Sequence, residues 1–132
     1  MIKLSDIVPF DGVAWSDVPD LPGVYVIYDR DEVIYVGMAG RNGGGSLRKR
    51  LKDHGSGQIV NMFAQYLFLA RVQFVPAERI THPRAAKVAC RRYIDDHCAF
   101  RWVVADSGAA ARLLERELRV SLRPVFNALA PD

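Results

Sequence analysis

The stretch GVYVIYDRDEVIYVGM, residues 23–38, is the most informative part of this 132-residue chain about its fold. It consists of two runs of β-branched and aromatic residues that flank the charged segment DRDE at 29–32. Such a pattern predicts two antiparallel strands joined by a short turn. Because side chains alternate between the two faces of a strand, the register of this hairpin decides whether Tyr25 and Tyr35 meet.

Two registers are open. If Tyr25 lies opposite Tyr35, the loop contains an odd number of residues, for example 29–31, and Asp31 is expected to adopt the left-handed conformation that such loops require. A loop with an even number of residues places the two phenols on opposite faces of the hairpin unless a β-bulge intervenes.

The remaining elements surround this hairpin. Residues 1–22 contain three prolines and predict an irregular lead-in. Ser46 is expected to cap a short basic helix at 47–54. Periodicity predicts three further helices, at 58–69, 83–96 and 108–122, and one late strand at 99–105. The chain therefore predicts one α+β domain over residues 1–132, in which helices cover a small, mostly antiparallel three-stranded sheet made of the hairpin and the late strand.

Composition excludes several classes of protein. Half of the residues are hydrophobic and a quarter are charged, which excludes disorder and collagen-like repeats. The longest apolar stretch, residues 59–70, would be about 18 Å long as a helix and could not cross a bilayer core of about 30 Å. The first residues carry no pattern of a secretion signal, and two cysteines (Cys90 and Cys98) suit a reducing compartment. We expect a cytoplasmic protein without a membrane segment.

Charge is distributed unevenly along the chain. Residues 1–32 hold two basic and seven acidic side chains, whereas residues 33–132 hold sixteen basic and eight acidic ones. Concentrated positive charge favours a polyanionic partner, since contacts to phosphates release counterions.

Four short motifs resemble one known family. They are Gly23-Val24-Tyr25 with Tyr35-Val36-Gly37 ten residues later, Leu47-Arg48-Lys49-Arg50 with His54, Leu114-Glu115, and the stretch 123–127 that ends in Asn127. In this order and spacing they are similar to the signature of the GIY-YIG nucleases. The resemblance covers residues 22–54 and 98–128. It leaves residues 1–21 as an N-terminal extension and residues 55–97 as a largely helical insert.

The resemblance implies a metal-dependent endonuclease that hydrolyses phosphodiester bonds in DNA. Glu115 would be the only protein ligand of one divalent cation, Mg²⁺ or alternatively Mn²⁺, which keeps several waters and stabilises the leaving 3′-oxygen. Tyr25 would be the general base, and Arg50 would lower its pKa and hold the phosphate.

The resemblance also implies supporting roles. Tyr35 would position water or phosphate, His54 would assist the base or the phosphate, and Asn127 would orient the region of Glu115. Basic residues expected to contact DNA lie near a glycine-rich loop at residues 40–45 and on one helix face: Arg41, Arg48, Lys49, Lys52, Arg84, Lys87 and Arg91. A homodimer formed through the apolar segment 59–70, or a partner protein, would add specificity.

Competing interpretations stay open. Met38 occupies a position where many family members carry Lys, which motivates an alternative: a nucleic-acid-binding module that keeps the fold without cleaving. Glu115 precedes Arg119 by four residues and so also fits a helical surface pair. The glycine-rich loop lacks the Lys of a nucleotide-binding P-loop. The histidines and cysteines lack the paired spacing of a zinc site.

Overall fold

An antiparallel sheet with helices on both faces organises the protein. The computed structural model describes residues 2–40, 45–58, 61–72 and 83–127. The strands are β1 (Val8–Pro9), β2 (Gly23–Asp29), β3 (Glu32–Ala39) and β4 (Cys98–Val104). The helices are α1 (Leu47–Gly55), α2 (Met62–Ala70), α3 (Pro83–His97) and α4 (Gly108–Leu122). The strand order is β1-β4-β2-β3, so the α+β class is confirmed.

The sheet has four strands, and the prediction of three is wrong. The additional strand, β1, lies in the predicted lead-in, where Val8 pairs with Phe100 and Pro9 with Ala99 of β4. Ser5 continues this contact, because its N–H donates to the carbonyl of Trp102 at 2.8 Å. The sequence did not reveal β1 because two residues are too few to show the alternation of a strand. Pro9 is tolerated there because β1 is an edge strand.

The β2–β3 hairpin has an even loop and a bulge. Tyr25 pairs with Gly37 and Ile27 pairs with Tyr35, and the register shifts between Ile27 and Tyr28. The shift leaves Ile34 without a partner in the ladder. A bulge of this kind changes which face the following side chains occupy. Tyr25 and Tyr35 therefore share a face, although they are offset rather than directly opposite.

Asp31 was the candidate for a left-handed residue only if the loop was odd, and the loop is even. Arg30, not Asp31, adopts the left-handed conformation, with a φ of 57°. Only residues 30 and 31 lie between the last ladder pair, so the loop is shorter than the three residues for which Asp31 was expected. The N–H of Arg30 donates to the carbonyl of His97 at 2.8 Å, which fixes this conformation against the end of α3.

Each face of the sheet covers a separate cluster of buried side chains. On one face, residues of β2 and β4 pack against α1, α2 and α3; the largest members are Tyr25, Ile27, Leu47, Leu51, Phe63, Leu67, Ile94, Phe100 and Phe126. On the other face, Val24, Val26 and Val36 pack against Ala111 and Leu118 of α4. Alternation along β2 thus sends Tyr25 towards α1 and its neighbours towards α4.

Side-chain caps explain where three helices begin. Ser46, Asn61 and Ser107 each accept a hydrogen bond from the backbone N–H three residues later. The helix predicted at 58–69 therefore starts later, at Met62, whereas the other predicted helices agree within one residue. Within the described residues, no helix is long and apolar enough to span a membrane.

Candidate active site

A cleft of about 460 Å³ opens where β2 and β3 meet α1 and α4. Four of the residues that line it were predicted from the sequence to form one site: Tyr25, Tyr35, Arg50 and Glu115. Gly37, Met38, Lys49 and Asp53 also line the cleft. Residues that are 90 positions apart in the chain thus line one cleft.

Tyr25 is fixed at the floor of this cleft. The residue is fully buried, and its ring lies against the backbone of Gly37 on the neighbouring strand. A Cβ at position 37 would collide with the hydroxyl oxygen and ring of Tyr25. The spacing of Gly37 two residues after Tyr35 is therefore a packing requirement, since only glycine leaves room for the phenol.

The Tyr25 hydroxyl is hydrogen-bonded to a buried histidine of α1. Its oxygen lies 2.6 Å from Nε2 of His54, and Nδ1 of His54 lies 3.3 Å from Oδ1 of Asn61. Tyr35 and Phe63 meet the imidazole edge-on, with ring centroids 5.7 Å and 5.2 Å away. Aromatic packing on these sides restricts the ring to one orientation.

Burial controls the protonation of these groups. It raises the pKa of Tyr25, and Tyr35 adds to the rise, while the charge and hydrogen bond of Arg50 oppose it. Burial also raises the pKa of Tyr35. For His54, burial and then the positive charge of Arg50 lower the pKa to about 3. At neutral pH both phenols hold their protons and the imidazole is uncharged.

Glu115 supplies a carboxylate to the cleft from α4. Its side chain is 18% exposed and lies 3.9 Å from Arg119, so the helical pair that the sequence allowed is present alongside the cleft position. The described residues contain no group of three His, Cys, Asp or Glu side chains that could cage a metal. Besides Glu115, the carboxylate of Asp53 lines the cleft. So small a number of carboxylate ligands fits Mg²⁺, which keeps most of its waters and takes phosphate oxygens, better than it fits zinc.

Asn127 holds strand β3 rather than acting on α4. Its Oδ1 accepts from the N–H of Val36 and its Nδ2 donates to the carbonyl of Val36, both at 2.8 Å. The N–H of Phe126 donates to the carbonyl of Ile34 in the same way. The observed partner of Asn127 is thus the backbone of Val36, between Tyr35 and Gly37, and the expectation that it orients the region of Glu115 stays a prediction.

The predicted DNA-contacting residues are dispersed. Lys49 lines the cleft, and Lys52, Arg84 and Arg91 are exposed while Lys87 is half-buried. Arg48 instead donates from Nε to the carbonyl of Val18 at 2.9 Å and so anchors the N-terminal segment. Arg41 lies outside the described residues.

The basic face predicted on α3 is electrostatically mixed. Arg91 lines a groove together with Arg92 and the acidic side chains of Asp11, Asp95 and Asp96. These carboxylates lower the local positive potential and weaken the attraction for phosphate that the sequence suggested for this face.

Two residues of the site were missed by the sequence analysis. Asp53 lines the cleft one helical turn after Arg50, and Asn61 contacts His54 from the segment that the resemblance left out. The available signal for Asn61 was its position directly before an apolar helix, which is typical of a capping residue. Cys90 and Cys98 are both buried, which raises their pKa values to about 11 and about 12 and argues against nucleophilic roles.

Comparison with known proteins gives a match among solved structures only. No protein-family model matches the chain, and no curated protein matches it. The chain is similar to the GIY-YIG N-terminal endonuclease domain of UvrC from Thermotoga maritima bound to its catalytic divalent cation, magnesium. The identity is 20%, the match covers 83% of this chain and 86% of that chain, and the TM-score is 0.43. A point mutant of the same domain, bound to its catalytic divalent cation, gives the same values.

Proposed function

We propose that the protein is a metal-dependent endonuclease that hydrolyses phosphodiester bonds in DNA. The observation that carries this proposal is the convergence of a Tyr25–His54 hydrogen bond, the Arg50 guanidinium and the Glu115 carboxylate on one cleft. Phosphodiester hydrolysis needs a base for water, a cation for the phosphate and a site for a metal ion. The cleft offers a candidate for each.

Arg50 and Lys49 provide the positive charge for the phosphate. Both line the cleft from α1, and the planar guanidinium of Arg50 can bond two phosphate oxygens at once. Met38 in the same wall is uncharged, so we assign to these two side chains the role that a lysine at position 38 would have.

Tyr25 is the proposed general base, working with His54. Because burial raises the pKa of Tyr25, its hydroxyl is protonated at neutral pH and does not act as a preformed phenolate. We infer that the phenol oxygen takes a proton from the attacking water while its own proton moves to His54 across the 2.6 Å hydrogen bond. The water oxygen bonds to phosphorus, the bond from phosphorus to the 3′-oxygen breaks, and a proton from solvent completes the 3′-hydroxyl.

A bound phosphate would make this proton transfer easier. The positive charge of Arg50 is the second cause, after burial, of the low pKa of His54. A phosphodiester anion paired with Arg50 offsets that charge, so the imidazole becomes a better proton acceptor when substrate is present.

Glu115 is the proposed ligand of the metal ion. A hydrated Mg²⁺ (or Mn²⁺) bound there would stabilise the negative charge that develops on the leaving oxygen. Glu115, which lines the cleft from α4, would hold that cation.

Nicking of supercoiled plasmid DNA tests the proposal. We expect cutting with Mg²⁺ or Mn²⁺, none with EDTA, and a loss of at least about 100-fold in Glu115→Gln. Glu117→Gln is the matched control, because Glu117 lies on the same helix and is exposed. Binding without cutting under every metal would favour the non-catalytic module, and undiminished cutting by Glu115→Gln would remove this residue from the metal site.

A further inference from the structure

Asn61, at the N-terminal end of α2, joins the helix cap to the candidate active site. Its Oδ1 accepts from the N–H of Ala64 and its Nδ2 donates to the carbonyl of Gln58, both at 2.8 Å. A reversed amide would set its NH₂ against an N–H and its oxygen against a carbonyl, so these two bonds assign the orientation. The oxygen of Asn61 therefore faces Nδ1 of His54, at 3.3 Å.

This orientation assigns the tautomer of His54. The buried imidazole is uncharged at neutral pH and carries one N–H. Since the amide oxygen of Asn61 has no hydrogen to donate, the N–H is on Nδ1 and donates to Asn61. Nε2 then holds a lone pair and accepts the hydrogen bond from the hydroxyl of Tyr25.

We propose that Asn61 is a positioning residue of the nuclease site, which holds His54 in the tautomer whose Nε2 can take the proton of Tyr25. The other tautomer would donate from Nε2 to the phenol oxygen, and the proton of Tyr25 would have no acceptor. A buried carboxylate orients histidine in this way in serine proteases, and here a neutral amide does so. The proposal rests on the proposed function for its catalytic part and assigns a role to the segment 55–97.

Two substitutions separate capping from positioning. Asn61→Ser keeps a capping oxygen, but its side chain is shorter by one atom and does not reach His54. Asn61→Asp keeps both the capping oxygen and the acceptor for Nδ1. Ser107→Ala is the matched control, because it removes the cap of α4, where Ser107 accepts from Ala110.

The first readout is the pair of ring ¹⁵N chemical shifts of His54 in the full chain at pH 8 without substrate. We expect a protonated Nδ1 and an unprotonated Nε2 in the wild type and in Asn61→Asp, and a mixture of tautomers in Asn61→Ser. The second is single-turnover plasmid nicking with Mg²⁺, where we expect a loss of about tenfold or more in Asn61→Ser, rescue in Asn61→Asp and a smaller loss in Ser107→Ala.

The outcomes distinguish the two proposals. A wild-type His54 protonated on Nε2, or ring shifts unchanged in Asn61→Ser, would overturn the role of Asn61. So would a loss of nicking in Asn61→Ser no larger than in Ser107→Ala. A wild type that cuts no DNA while the ring shifts follow the expectation would refute the proposed function and leave the tautomer assignment standing.

Discussion

The phenol of Tyr25 lies against the backbone of Gly37, so closely that the two strands can pair only because position 37 lacks a side chain. We predict that Gly37→Ala destabilises the protein by about 1–3 kcal/mol, the usual cost of overpacking a core. Urea unfolding measures this cost. In a Tyr25→Leu background the penalty should shrink, because the clashing ring is gone; an equal penalty in both backgrounds would show that the contact is not its cause.

Stability should depend on pH through His54. Its pKa is about 3 in the folded protein and about 6.5 when unfolded, so below pH 6.5 the unfolded chain binds a proton that the folded one does not. Stability from the uncharged ring is therefore present above pH 6.5 and falls as the pH decreases towards 3. Between pH 7 and pH 5 the wild type should lose about 2 kcal/mol more than His54→Gln in urea unfolding. Parallel losses in the two proteins would contradict the assignment.

Asn127 should protect the backbone amide of Val36, at the edge of β3, from hydrogen exchange. Its amide forms two hydrogen bonds with Val36, as a neighbouring strand would. We expect Asn127→Ala to reduce stability by about 1–3 kcal/mol and to speed hydrogen exchange of the Val36 amide. Val26 is the internal reference, because it lies in β2, between β3 and β4. Unchanged exchange at Val36 would argue against this role.

DNA affinity should depend more on Lys49 than on Arg91. Both are exposed, but Lys49 lines the cleft that holds the candidate active site, whereas Arg91 lies in a groove where three carboxylates outnumber two arginines. Lys49→Ala should weaken binding at all sequences and lower the slope of log K against log salt by about one unit. Arg91→Ala should change the slope less. Fluorescence anisotropy over a salt series measures both, and a larger effect of Arg91 would place the DNA on α3 instead.

The sequence predicted the strands and helices well where patterns are long. The β-branched runs around Tyr25 and Tyr35 and the apolar stripe of α4 each span two or more periods, and both elements form as expected. Strand β1 was missed because two residues carry no periodicity. The sequence left the odd and the even hairpin loop as alternatives. The even loop with a bulge places Tyr25 opposite Gly37, and this packing contact is visible only in the folded structure.

The site was predictable only in part, for a physical reason. Motif order grouped Tyr25, Tyr35, Arg50 and Glu115, and the structure brings these four to one cleft. Motif order does not report what a side chain bonds to, so the contact of Asn127 with Val36 and that of Arg48 with Val18 were not foreseen. Asn61 belongs to a segment without a motif, and its contact with His54 depends on how α2 packs beside α1.

The rate of DNA cleavage by Tyr25→Phe tests whether the phenol of Tyr25 is the general base. Tyr28→Phe is the matched control, because Tyr28 lies on the same strand but packs on the opposite face of the sheet. Under single-turnover conditions with Mg²⁺, we expect the wild type and Tyr28→Phe to cleave at similar rates and Tyr25→Phe to be slower by about 100-fold or more. Cleavage by Tyr25→Phe at the wild-type rate would contradict the assignment of this phenol as the base.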